Sequence, residues 1–335
     1  MSRFEKTLAE FRRNDVSNET IWRSIILFGK NTASYKFSLA KAILDLAREG
    51  KSTISYKELA VAYAPHLLEH YKHGLKQDTR STDSTLARTY KGYVRDEISY
   101  DELINYTASK GFSNVVPRFH HVKGGLPFDF YEINESTKQL VLNDRLYQLQ
   151  SDNGLLLETE VEARWNLVET AWNVGIPVNL LEVKIDDMGR ELYVEGANYR
   201  TAVTNARDAL SGYQKGKCFY SGRGIDMQSV EVDHFFPVSK QPTHGNCNLN
   251  GIWNLVLADA SINRSKSDRR PDEVYLTKLY ERNEFYIASK HPLGETIASQ
   301  TGSTPRNRLN FLKAHNDLAR QYSPHGWEVK PQDFS

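Results

Sequence analysis

The stretch Cys218–Pro271, CFYSGRGIDMQSVEVDHFFPVSKQPTHGNCNLNGIWNLVLADASINRSKSDRRP, decides how this chain is read. Lys217–Tyr220 reads as a short strand, Ser221-Gly222-Arg223-Gly224 as a turn, and Val230–His234 as a second strand that ends on Asp233-His234. Leu255-Val256-Leu257 is extended, and Asp259 or Ser261 then caps a helix carrying Asn263 and Lys266. Those two residues lie three apart and share a helix face, whereas Arg264 points elsewhere. The predicted unit is two strands followed by a helix.

Taken singly, these residues say little. An isolated Asp-His pair is ordinarily a surface or turn pair, and Asn254 alone would be a turn or cap residue. Asn263 is a poor helix former with no structural reason to sit inside a helix. Together their order and spacing suit phosphodiester hydrolysis, which requires an activated water, a counter-charge for the pentavalent phosphate and help for the departing oxygen. A histidine at a strand end is a suitable base, because its unperturbed pKa lies near working pH. Asp233 supplies an anionic hard oxygen and Asn263 a neutral one, a set that suits Mg2+ or Mn2+ better than zinc. Two protein ligands leave most of the coordination shell to water and substrate phosphate, so metal affinity without DNA should be weak. Arg264, Lys266, Arg269 and Arg270 form a basic cluster opposed only by Asp268. Beside such a site the cluster is expected to touch backbone phosphates, giving a salt-sensitive DNA affinity that does not specify sequence.

At VDHFFPVS, WNLVLA and INRSKSDRRP the chain resembles the HNH endonucleases, which have a ββα-metal fold, and the last motif also resembles the HNH domain of RNA-guided CRISPR nucleases. The resemblance covers roughly residues 200 to 275. It implies a metal-dependent DNA endonuclease with His234 as general base, Asp233 and Asn263 as metal ligands, Asn254 bracing the loop beneath the base, and Lys266 approaching the substrate phosphate. Products with 5′-phosphate and 3′-hydroxyl ends follow from the same analogy, as does a bacterial restriction or anti-phage defence role. The alternative is a catalytically silent HNH-fold protein that binds nucleic acid or a partner. One departure matters: many relatives hold the motif with a zinc on two Cys-x-x-Cys pairs, and here Cys218 and Cys247 each lack a partner at that spacing. A structural zinc is therefore not expected, and packing by Phe219, Tyr220, Phe235, Phe236 and Trp253 must stabilise the unit instead.

Outward from this motif, residues 1–110 carry apolar residues at helical spacing, as in Phe4-Leu8-Phe11 and Ile21-Trp22-Ile25-Ile26. Ser55 is placed to cap a helix, and Pro65 to open the next. That second helix aligns His66, His70 and His73 on one face, which reads as a solvated polar face in preference to a metal site. His120-His121 reads as an exposed loop pair. Phe128–Ile133 and Gln139–Leu142 read as one hairpin, Leu180–Ile185 and Glu191–Val194 as another around Asp186-Asp187-Met188-Gly189, with a helix from about Thr159 to Val174 between them. Glu182 and Lys184 resemble half of a different nuclease motif, but period-two alternation accounts for them as the wet face of a strand. A helix through Val203, Ala206, Leu210 and Tyr213 leads into the motif; Asp272–Lys290 and Arg306–Tyr322 follow as two closing helices joined by a Gly/Ser/Thr/Pro-rich loop.

The fold class predicted is α+β, mainly helical. Residues 1–195 form a mostly α regulatory, partner-binding or DNA-binding domain with two small β-hairpins, and 196–335 the ββα-metal nuclease domain with flanking helices, its core at 216–271. Residues 1–195 are the expected place for a regulatory protein partner such as an ATPase. With 335 residues the chain can bury two modest cores. A net charge of +1 advertises no global basic field, although residues 196–335 hold 18 Lys+Arg against 14 Asp+Glu. Two cysteines suit a reducing compartment, the N-terminus lacks a secretory h-region, and no apolar run spans a bilayer. These features lead to the expectation of a cytoplasmic protein without a membrane partner.

Overall fold

A computed structural model describes residues 3–13, 15–29, 33–73, 75–79, 82–122, 124–173, 183–185, 191–195, 200–226, 229–245, 247–289 and 292–334. The chain is α+β and mainly helical, and it divides into two compact units, Met1–Gly175 and Ile176–Ser335. Among the described residues, no helix is long and apolar enough to cross a membrane.

The first unit contains α1 (Arg3–Arg12), α2 (Asn18–Phe28), α3 (Tyr35–Arg48), β1 (Thr53–Ser55), α4 (Tyr56–Lys72), α5 (Thr85–Val94), α6 (Tyr100–Tyr106), α7 (Phe112–Arg118), β2 (Tyr131–Asn134), β3 (Gln139–Leu142) and α8 (Asp144–Asn173). The hairpin read from the sequence is β2–β3, and β1 joins it to make an antiparallel sheet in the order β1-β3-β2. α8 packs on α2 and α3, so that Trp22, Phe37, Tyr63 and Trp165 fill the core. Buried charge is paired: Arg23 Nε lies 2.7 Å from Glu160 Oε2, while Lys36 Nζ donates to the carbonyls of Ile25, Ile26 and Gly29 at the end of α2. A cation on those unsatisfied carbonyls complements the helix dipole.

Three expectations for this unit are corrected. Pro65 lies inside one continuous α4, because the carbonyl it orphans belongs to Val61, whose residue is 48% exposed and within reach of water. The His66 face is not solvated throughout: His70 is buried, its ring stacked on Trp165 at 3.6 Å, with Nδ1 2.8 Å from Glu169 and Nε2 3.2 Å from Glu162. His66 instead bonds Asp45, and His73 remains exposed. His120 turns inward against Phe119 and Tyr131 and accepts from the Phe130 N–H at 3.0 Å; burial draws its pKa down to about 4. The partners of His70 come from α8, about a hundred residues downstream, and no local pattern announces them.

The second unit runs through β4 (Val183–Ile185), β5 (Glu191–Glu195), β6 (Arg200–Asn205), α9 (Ala206–Gln214), β7 (Val230–His234), β8 (Leu255–Asp259), α10 (Ala260–Lys266), α11 (Glu273–Ala288), α12 (Pro292–Thr301) and α13 (Pro305–Ala319). β4-β5-β6 form one antiparallel sheet and β7-β8 another. The turn Asp186–Gly189, Glu182 and the 196–199 stretch lie outside the described residues. Val203 belongs to β6 and not to the helix that follows: Thr201 and Thr204 pair with Val194 and Leu192 of β5, and Val203 is the extra residue at the register shift between them. The expected loop before the last helix contains α12, whose Leu293 and Ile297, one turn apart, are fully buried.

The ββα unit is β7, β8 and α10. Lys217–Tyr220 is not its first strand: the chain folds back through Gly222 at φ +71°, leaving one bridge, Lys217 to Gly224, and a Phe219 N–H that donates to Leu257 O at 2.8 Å. Aromatic rings interlock around it, with Phe219 edge-on to Phe235, Phe235 to Phe236, and Tyr220 to both Tyr275 and Trp327.

Candidate active site

β7 pairs with β8 so that Glu231 faces Ala258, Asp233 faces Val256 and His234 faces Leu255. Alternation puts Glu231 and Asp233 on one face of β7. β8 runs directly into α10, which returns against β7 and brings Asn263 and Lys266 to that same face. The two spacings match: residues i and i+2 of a strand meet residues i and i+3 of a helix. Asn263 Nδ2 donates to Glu231 Oε2 at 2.8 Å, and Lys266 Nζ donates at 2.8 Å to both Asp233 Oδ1 and the His234 carbonyl.

Asp233 is 6% exposed and Lys266 0%, so their ion pair lies in the interior. Burying either charge alone would cost several kcal/mol, which makes the pair interdependent. The other oxygen, Asp233 Oδ2, accepts from the Tyr220 hydroxyl at 2.5 Å. Burial, followed by the Asp233 charge, pushes the Tyr220 phenol well up, which keeps it a donor.

His234 is half-buried at the end of β7, with Nε2 2.8 Å from Asn250 Oδ1. An amide oxygen only accepts, so Nε2 carries the proton and Nδ1 holds the basic lone pair. Burial lowers the His234 pKa; the Asn250 bond and Asp233 oppose that shift, and Lys266 adds to it. The imidazole is thus neutral and basic at neutral pH.

Asn254, fully buried, ties the loop that follows His234. Its Oδ1 accepts from Phe236 N–H at 2.9 Å, while Nδ2 donates to Phe236 O and Leu249 O at 2.8 Å each. Arg282 Nη2 and Asn283 Nδ2 of α11 both hold the preceding carbonyl, Trp253 O, at 3.1 Å.

The basic cluster separates. Arg264 and Arg269 are exposed, whereas Lys266 sits beneath the site and not on its surface. Arg270 is 4% exposed and turned inward, its guanidinium bonded to Ser323 O, Pro271 O, Pro324 O and Asn316 Oδ1. Four of its five N–H donors are so engaged, and its burial turns it away from a phosphate.

The HNH-like motif implies a divalent cation, and the donors suit one. Each Asp233 oxygen accepts one hydrogen bond and retains a second lone pair, and the bond from Asn263 Nδ2 to Glu231 leaves Oδ1 as the other end of the amide. Among the described residues, no group of three or more His, Cys, Asp or Glu side chains converges on one point. Asp233 and Asn263 would therefore hold the ion with water completing the shell. Cys218 is buried and Cys247 half-buried, both as free thiols.

Sequence reasoning missed Tyr220, Glu231 and Asn250. Glu231 was reachable, since period two puts it beside Asp233 and the helix spacing Asn263–Lys266 supplies a partner for each. Nothing local marks Asn250. Residues 218–272 match the family model described as HNH endonuclease. No curated protein and no solved structure matches the chain.

Proposed function

We propose that residues 196–335 form a metal-dependent DNA endonuclease in which His234 is the general base. The reading rests on one arrangement: a neutral imidazole with its basic nitrogen fixed by Asn250, one residue from Asp233 and on the strand that Asn263 faces. His234 Nδ1 takes a proton from water, and the water oxygen bonds to phosphorus as the P–O3′ bond breaks. The departing 3′-oxygen takes its proton from solvent, giving 5′-phosphate and 3′-hydroxyl ends. When bound at Asp233 and Asn263, Mg2+ or Mn2+ supplies counter-charge for the phosphorane and the leaving oxygen. Lys266 acts from below, neutralising part of the Asp233 charge and holding the His234 carbonyl. Asn254 keeps the loop under the base in register, and the exposed Arg264 and Arg269 are placed to meet backbone phosphates.

Residues 1–195 serve in this reading as the regulatory part, with an ATPase-like protein as the kind of partner and anti-phage defence or restriction as the setting. A nuclease without restraint would endanger its host, which favours such control. The second reading, a silent HNH-fold binder, draws on the Lys266–Asp233 pair, since a buried ammonium already satisfies one oxygen of the proposed ligand.

Plasmid nicking with Mg2+ or Mn2+ beside His234→Ala separates the two. Loss of nicking by a factor of about a hundred or more in the variant is expected for a general base. Equal behaviour of the two proteins would leave the silent reading in its place.

A further inference from the structure

The strand and helix side chains at the site form two rungs. One is Asp233–Lys266, a carboxylate against an ammonium; the other is Glu231–Asn263, a carboxylate against a neutral amide. The first rung is electrically balanced, so Asp233 alone brings no net negative charge to a cation. Glu231 supplies it: with Lys266 buried and bonded to Asp233, the four side chains together carry one negative charge only because Glu231 is among them. Glu231 also fixes the direction of the amide. Its Oε2 takes the Asn263 NH2 group at 2.8 Å, and an amide whose nitrogen is held inward has its oxygen at the opposite end.

From this geometry we infer that Glu231 is a positioning residue of the metal site: it orients Asn263 Oδ1 for a divalent cation and provides the net charge that attracts it. The inference rests on Asp233 and Asn263 being the ligands. Outer partners of this kind act through the ligand they hold, and removing one weakens metal affinity by about 10-fold to 100-fold. Glu231 is half-buried, so its replacement leaves the β7–α10 packing in place.

The test is a Mn2+ titration of the full chain without DNA, read by electron paramagnetic resonance, for the wild type, Glu231→Ala, Glu231→Gln, Asp233→Ala and Asn263→Ala. Glu231→Ala should weaken Mn2+ binding about tenfold or more. Glu231→Gln, which keeps the accepting oxygen and loses the charge, should fall between it and the wild type. In cleavage assays Glu231→Ala should raise the Mn2+ concentration needed for half-maximal rate while the rate at saturating metal stays near that of the wild type. A purely structural role would lower the thermal midpoint and leave the metal titration unchanged. If Glu231→Ala binds Mn2+ as tightly as the wild type while Asn263→Ala does not, the inference is overturned and the ligand assignment stands. If Asp233→Ala and Asn263→Ala also bind as the wild type does, the inference falls together with the reading beneath it.

Discussion

Asn254 makes three buried hydrogen bonds, and its truncation would strand the Phe236 N–H and the carbonyls of Phe236 and Leu249 away from water. Unsatisfied groups of this kind cost about 1–3 kcal/mol each, so Asn254→Ala is expected to lose about 3 kcal/mol in a urea titration as well as activity. A smaller loss would mean that water enters the loop. Ser267 sits just past α10 at φ +53° and ψ −131°, a conformation suited to glycine. Ser267→Gly should therefore stabilise the second unit by about 1 kcal/mol in thermal unfolding, against the usual trend for glycine. Much of the cluster at this scale was legible, because Asp233, His234, Asn254, Asn263 and Lys266 are close in sequence and the structure gathers them about the end of β7. What escaped was who holds whom. Lys266 read as a phosphate ligand because a lysine beside a phosphodiesterase motif is expected to face solvent. That it faces Asp233 depends on which side of β7 the helix covers, a tertiary fact.

Among elements, α10 and the turn after it show how a run of cations divides its labour. Arg270 anchors the segment after α13, where Trp327 N–H donates to Arg270 O at 2.8 Å and Asp272 N–H donates to Trp327 O at 2.9 Å. Arg270→Ala should thus lower stability by about 3 kcal/mol or more, since four accepting groups lose a charged donor, and should leave the salt dependence of DNA binding alone. Replacing Arg264 and Arg269 together should do the reverse: little change in melting, and a DNA affinity whose slope against log salt is flatter by about two phosphate contacts. Fluorescence anisotropy with labelled duplex at several salt concentrations distinguishes the pair of outcomes. The helices themselves were legible where apolar spacing was long and regular, as in α2, α3 and α13. α12 was not, because Gly294, Ser299 and two threonines gave its span a loop-like composition, with Leu293 and Ile297 as its buried large apolar side chains. The turn at Ser221–Gly224 was legible from its glycines, whereas Cys218-Phe219-Tyr220 is apolar enough to read as a strand and is not one.

For the whole chain, two histidines set opposite limits on pH. Burial alone would lower His70, but its bonds to Glu162 and Glu169 outweigh burial and raise the pKa to about 9. Its contribution to the first unit is full below the ordinary value of 6.5 and fades as pH rises through about 9. His244, buried with its Nδ1 2.8 Å from His315 Nδ1, is lowered to about 4 by burial and by that neighbour. Its contribution to the second unit is full above 6.5 and is lost as pH falls through about 4. Hydrogen-exchange mass spectrometry should consequently find α4 and α8 opening first at pH 9, and at pH 5 the surroundings of the two histidines buried neutral, His120 in the first unit and the turn Val238–His244 with α13 in the second; the same order at both values would contradict these assignments. The segment that Arg270 and Trp327 hold has a consequence of another kind, in time and not in energy. The motif ends near residue 271, yet Trp327 closes against Tyr220, the residue that grips Asp233. While the chain is being synthesised, His234, Asp233, Asn263 and the helix that carries Asn263 emerge before the tryptophan that packs behind them. The packing around Asp233 is therefore completed only once Trp327 has emerged, well after the motif itself.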